Sequence, residues 1–203
     1  FRTHTGTPAN SITGGGVFIF NSEPTITDNE IVNNVLSSTA TRYFWGGGIY
    51  MSGGSYADPI QPVVTNNLID GNVNDAGPGQ NQHSATSSLG GGLYVGLYAA
   101  PTISGNTISY NVAGTISAAN HTGTGGAMTV YSLAYSPRPE ISNNVIRENS
   151  SANFGGGINF GQIYNGSFYI PTRGLVQNNI LERNVSYRGG GIQSNTSHAL
   201  IRN

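Results

Sequence analysis

Apolar and Asn positions recur along this chain in a fixed step: an aliphatic residue, then Asn three residues later, with the step repeated five residues on. The paired steps are Ile26/Asn29 with Ile31/Asn34, Val64/Asn67 with Ile69/Asn72, Ile103/Asn106 with Ile108/Asn111, Ile141/Asn144 with Ile146/Asn149, and Val176/Asn179 with Leu181/Asn184. A single step, Leu200 to Asn203, follows them. Between the pairs sits a Gly run closed by an apolar residue: Gly14–Val17, Gly46–Ile49, Gly90–Leu93, Gly125–Met128, Gly155–Ile158 and Gly189–Ile192. Asn29, Asn67, Asn106, Asn144 and Asn179 lie 38, 39, 38 and 35 residues apart. A period of this length is the signature of a solenoid. Helical repeats are excluded, because Gly, Pro and Asn interrupt every stretch that could carry a 3.6-residue period. The apolar runs are short and β-rich ("GVFIF", "GGIYM", "GLYV"), which predicts a parallel β-helix of about six coils.

The Asn positions then acquire a physical reason. Coils of a β-helix stack at the strand separation, so an Asn recurring once per coil stands on the Asn of the next coil. Its amide can donate to one neighbour and accept from the other, satisfying itself inside a turn. The same Asn is expected to take the left-handed conformation of the bend. Two columns follow: Asn29, Asn67, Asn106, Asn144, Asn179 and Asn203 in one, Asn34, Asn72, Asn111, Asn149 and Asn184 in the other. The Gly runs are expected at a third bend or a close backbone approach. Arg147 and Glu182 hold one place in successive coils and Glu148 and Arg183 the next, so cross-coil ion pairs are expected there.

The repeats, seen in "IRENSSANFGGGI" and "LERNVSYRGGGI", resemble those of the right-handed parallel β-helix superfamily of pectin-lyase-like proteins. They are closest to the β-helical passenger repeats of polymorphic outer-membrane proteins and related adhesins. The resemblance spans nearly the whole chain and implies an all-β, right-handed parallel β-helix over residues 1–203. It speaks to fold more than to activity, since this superfamily contains lyases, hydrolases, adhesins and inert shafts.

Composition narrows the chemistry. Eight Arg, no Lys and nine carboxylates give a formal net charge of −1, which argues against nucleic acid as a partner. No apolar run is long enough for a membrane-spanning helix. The chain has no Cys and begins at Phe1, as a processed secreted protein or a segment of a longer one would. The carboxylates are scattered, with only Asp28 and Glu30 two apart. Ca²⁺ demands six or more oxygens, and β-helix glycosidases need paired acids. The four His (His4, His83, His121 and His198) show no metal-ligand spacing. No catalytic residue, metal site or cofactor is therefore expected, and the chain is read as a non-enzyme.

Binding is the more open matter. Phe18, Tyr50 and Tyr94 occupy one outward place in successive coils, where they could cradle a sugar or form a packing ladder. Tyr43–Trp45, Tyr56, Tyr98, Tyr131, Tyr135, Tyr164, Phe168 and Tyr169 fall in segments that read as irregular. Among the glycosylation sequons, Asn120 and Asn165 lie in loops, whereas Asn149 and Asn184 belong to the inward columns. No amphipathic cap is evident at either terminus, and "FRTHTGTPANSIT" reads as a loop. An uncapped sheet edge propagates. The expectation is thus a secreted or cell-surface structural or adhesive protein that self-associates end to end, with glycan or cell-surface contact possible. The alternative is a carbohydrate-binding or polysaccharide-lyase-like β-helix.

Overall fold

The computed structural model describes residues 11–37, 43–74, 87–114, 122–164, 167 and 169–202. Over these residues the chain is all-β, and it winds through five short strands per coil. Each strand pairs with its equivalent in the next coil, so the coils build five stacked sheets between four and seven strands deep. Taken in the order of one coil, the first sheet holds Ser11–Thr13, Tyr43–Trp45, Ser87–Leu89 and Thr122–Thr124. The second holds Val17–Phe20, Ile49–Ser52, Leu93–Val95, Met128–Val130, Ile158–Phe160 and Ile192–Ser194. The third begins with Thr25–Thr27, Val63–Thr65, Thr102–Ser104 and Glu140–Ser142, and ends with Tyr169–Gln177 and Ser197–Arg202. The third and fourth sheets carry the paired steps, and the fourth and fifth run from Glu30–Val32 and Val35–Leu36 in the first coil to Ile180–Glu182 and Val185 in the last.

The register explains why three-residue strands suffice. In the third and fourth sheets the central residue of each strand points inward and stands in register with its equivalent one coil later: Ile26, Val64, Ile103, Ile141 and Val176 in one column, and Ile31, Ile69, Ile108, Ile146 and Leu181 in the other. These columns meet the inward residues of the second sheet, among them Ile49, Leu93, Met128 and Ile158, in one continuous core. Most of its members have no solvent exposure. Each fully buried aliphatic side chain contributes roughly 1.5–3 kcal/mol, so short strands are held by the stack rather than by their own length.

The Gly runs serve both expected purposes. Gly46, the first of its run, turns the chain from the first sheet into the second with φ of 68°, a conformation that side chains disfavour. At Gly47 a Cβ would strike the carbonyl oxygen of Gly91 in the next coil, so this position is closed by backbone approach.

Several segments that read as irregular are ordered. Tyr43–Trp45 is a parallel strand of the first sheet, and Ser11–Thr13, inside the loop-like opening sequence, pairs with it. Gln162–Tyr164 folds back on Tyr169–Pro171, the one antiparallel strand pair among the described residues. The last coil also differs from the spacing. Leu200 pairs with Leu175 and Ile201 with Val176, so Ile201, not Leu200, continues the inward column. The step from Leu200 to Asn203 is therefore one residue out of register with the ladder, and Asn203 itself lies outside the described residues, as do His4, His83, His121, Phe168, Asn120 and Asn165.

Candidate functional site

The Asn columns are built as stacked amides. The side-chain Nδ2 of Asn29 donates to Oδ1 of Asn67, Asn67 to Asn106, Asn106 to Asn144 and Asn144 to Asn179, at 2.9–3.2 Å. Asn34, Asn72, Asn111, Asn149 and Asn184 repeat the pattern at 2.9 Å throughout. Two further bonds were not anticipated. The backbone N–H of each ladder Asn from Asn29 to Asn149 donates to the same Oδ1 of the next coil, as Asn67 does to Asn106 at 2.9 Å. Nδ2 also donates backward to the carbonyl of the apolar residue one coil earlier, as Asn106 does to Val64 at 2.9 Å. One amide thus ties three coils together. From Asn67 to Asn149 the rungs are at most 2% exposed, which makes Asn149 inaccessible as a sequon.

The bend belongs to a different residue than expected. Positive φ falls on the residue before each ladder Asn: Asp28, Asn66, Gly105, Asn143 and Asn178 in one column, and Asn33, Gly71, Tyr110, Glu148 and Arg183 in the other. The ladder Asn residues are not among the positive-φ residues. The left-handed residue points its side chain to solvent, which explains why so many residue types stand there. In the second column this outward row becomes polar contact: Arg183 Nε meets Glu148 Oε1 at 2.7 Å. Hydrogen bonds from Tyr110 and Arg183 hold the Glu148 carboxyl below the usual Glu range. The neighbouring expected pair does not form. Arg147 and Glu182 are register partners, yet Glu182 takes Arg183 Nη2 at 3.3 Å and the buried Arg147 Nε has no partner.

Phe18, Tyr50 and Tyr94 stack as the spacing implies, with ring centroids 5.1 and 5.3 Å apart and planes within 8°. Trp45 lies 5.5 Å from Tyr94 and nearly parallel to it, and Tyr131 closes on Tyr94 edge to face at 6.1 Å. Tyr50 and Tyr94 are consequently buried, and burial drives the Tyr94 phenol far above its ordinary pKa. Their faces are occupied by one another, so these two form a packing ladder. Phe18, at the end of the stack, remains 56% exposed beside Phe20 at 55%.

The two ends of the described stack are not alike. Among the described residues, Oδ1 of Asn29 and of Asn34 receives no donor, and the backbone N–H groups of Asn179 and Asn184 meet no acceptor. The first coil opens as a hollow of about 440 Å³ lined by Val17, Ile26, Asn29, Ile31 and Asn34. The last coil presents Ile180, Val185, Tyr187 and Ile201 to solvent. Among the described residues no group of three His, Cys, Asp or Glu is placed to hold a metal. No helix is long and apolar enough to cross a membrane. No family model, curated protein or solved structure matches this chain.

Proposed function

We propose that this β-helix is a non-enzymatic structural or adhesive element of the cell surface or extracellular space, a shaft component whose coils stack end to end. One observation supports the reading: the same bonds join each described rung to the next, the side-chain amide and backbone N–H donating to the Oδ1 of the following coil, so the contact that joins coil to coil would serve equally to join one chain to another. Among the described residues no strand pairs the outer edge of the first or last strand of the second and fourth sheets, and a parallel edge accepts a further strand. Apolar Ile180, Val185 and Ile201 add surface whose burial would favour the contact. A head-to-tail contact of this kind is heterologous and extends without closure. The extracellular placement draws its support from the resemblance of the repeats to adhesin passengers.

Electron microscopy and light scattering over a range of concentrations test the reading. Uniform filaments with an axial repeat set by whole coils, about 4.8 Å each, are expected. Discrete monomers at every concentration would overturn it. A second reading, glycan contact, is favoured by the exposed rings of Phe18 and Phe20, since aromatic faces stack on sugar C–H surfaces. Phe18→Ala should then weaken retention on a glycan array, and unchanged retention would dismiss this reading.

A further inference from the structure

The outer face of the third sheet gathers guanidinium groups near the last coil. Arg173 and His198 are direct cross-strand partners in successive coils, and Arg138 lies in the segment that leads into Glu140–Ser142. Together with Tyr135, Glu140 and Leu175 they line a groove of about 500 Å³, within the size range of small-ligand sites. The Arg173 guanidinium lies 4.2 Å from the centroid of the Tyr135 ring. Stacking uses the face of a guanidinium and leaves its N–H edge free to donate.

Neither Arg138 nor Arg173 makes an ion pair among the described residues. Among the described residues Arg183 alone makes an ion pair, and it lies in another sheet's corner. Glu140 stands two residues from Arg138 but is engaged elsewhere: Gln177 Nε2 donates to its Oε1 at 3.0 Å. Gln177 Oε1 in turn accepts from Arg202 at 3.0 and 3.1 Å. The neighbourhood therefore holds three guanidinium groups, Arg138, Arg173 and Arg202, against the single Glu140 carboxylate. Guanidinium groups gathered without an ion-pair partner attract an anion. A planar fork held by an aromatic ring is suited to two parallel hydrogen bonds to an oxyanion.

We propose that this groove binds an oxyanion, a sulfate or carboxylate, with Arg173 as the forked donor and Arg138 and His198 flanking it. Leu175 supplies an apolar wall for the body that carries the charged group. Arg138 and Arg173 lie inward of the last strand of the third sheet, which carries His198.

Calorimetric titration at fixed ionic strength tests this with three probes: inorganic sulfate, a sulfated heparin oligosaccharide and an oligogalacturonate. At least one should bind, and Arg173→Gln and Arg138→Gln should each weaken it by about tenfold or more. Arg138 is exposed and bonded to no described residue, so its replacement tests the site even if Arg173→Gln disturbs the fold. Arg183→Gln, a cation on another face, should leave binding unchanged. Sulfate binding as tightly as the oligosaccharides would identify a free inorganic ion as the ligand. Preference for one oligosaccharide would identify the carried group. Absence of binding by all three probes overturns the proposal, and so does an equal loss in Arg183→Gln, which would mean diffuse charge attraction.

Discussion

A single Asn in this fold does work that is invisible in its own coil. Asn106 accepts two bonds from Asn67, donates to Asn144 and reaches back to Val64. Removing its side chain leaves several buried groups unpaired, each worth roughly 1–3 kcal/mol. Asn106→Ala should therefore lower stability in urea denaturation by about 3 kcal/mol or more, whereas Asn29→Ala, at an exposed rung, should cost under about 1 kcal/mol. Equal losses would show that the rungs do not act through burial. The outward neighbour behaves differently. Hydrogen bonds from Tyr110 and Arg183 favour the ionised form of Glu148, so its folded pKa lies below the unfolded value. What it contributes is thus present at neutral pH and is lost as pH falls through that lowered pKa. Tyr110→Phe should raise the Glu148 pKa toward 4.5 in a carboxyl NMR titration, and an unmoved value would remove Tyr110 as the cause.

At the level of an element, the Gly run separates backbone constraint from side-chain tolerance. The third place of the run holds Gly16, Gly48, Gly92, Gly157 and Gly191, but Ala127 in one coil. A methyl group at Gly48 would stand 2.7 Å from the Gly92 carbonyl oxygen and one at Gly47 closer still to that of Gly91, so Gly48→Ala should lower the melting temperature less than Gly47→Ala. Similar losses in the two variants would refute this distinction. The aromatic stack yields a pH effect of opposite sign to that of Glu148. Burial raises the pKa of Tyr94 and of Tyr131, while unfolded Tyr ionises near 10. Stability should hold up to about pH 10 and then fall as unfolded phenols ionise first, by up to about 1.4 kcal/mol per pH unit for each. Tyr94→Phe should flatten that decline, and an unaltered slope would exclude Tyr94 as its source. The Asn columns were legible in sequence because one polar type recurs at one distance from an aliphatic. The first sheet was not, since its central column runs Ile12, Phe44, Ser88, Gly123 and shares no residue type. The bend residue was misassigned for a related reason: its side chain leaves the fold, so selection by packing does not mark it.

For the molecule as a whole, the repeat predicted the solenoid but not the groove. Tyr135 and Arg173 meet across an interior coil, and His198 joins them because the last coil advances 25 residues, from Thr172 to Ser197, instead of the 35 to 39 between interior rungs. A constant period hides such a junction. Assembly is the property that belongs to this scale, and it should be sensitive to the terminal rungs. Asn179→Leu with Asn184→Leu should suppress sedimentable polymer while the circular dichroism of the monomer stays β-type; polymer formed as readily would rule out the rungs as the contact. The ladders have one more consequence. Neighbouring peptide dipoles in a sheet largely cancel. The side-chain amides do not, because every Oδ1 in both columns faces the earlier coil. The solenoid is therefore an electric rod with a negative pole at its first coil and a positive pole at its last. A fibre made from it would have a direction, with unequal growth at its two tips, and should turn to align in an applied field.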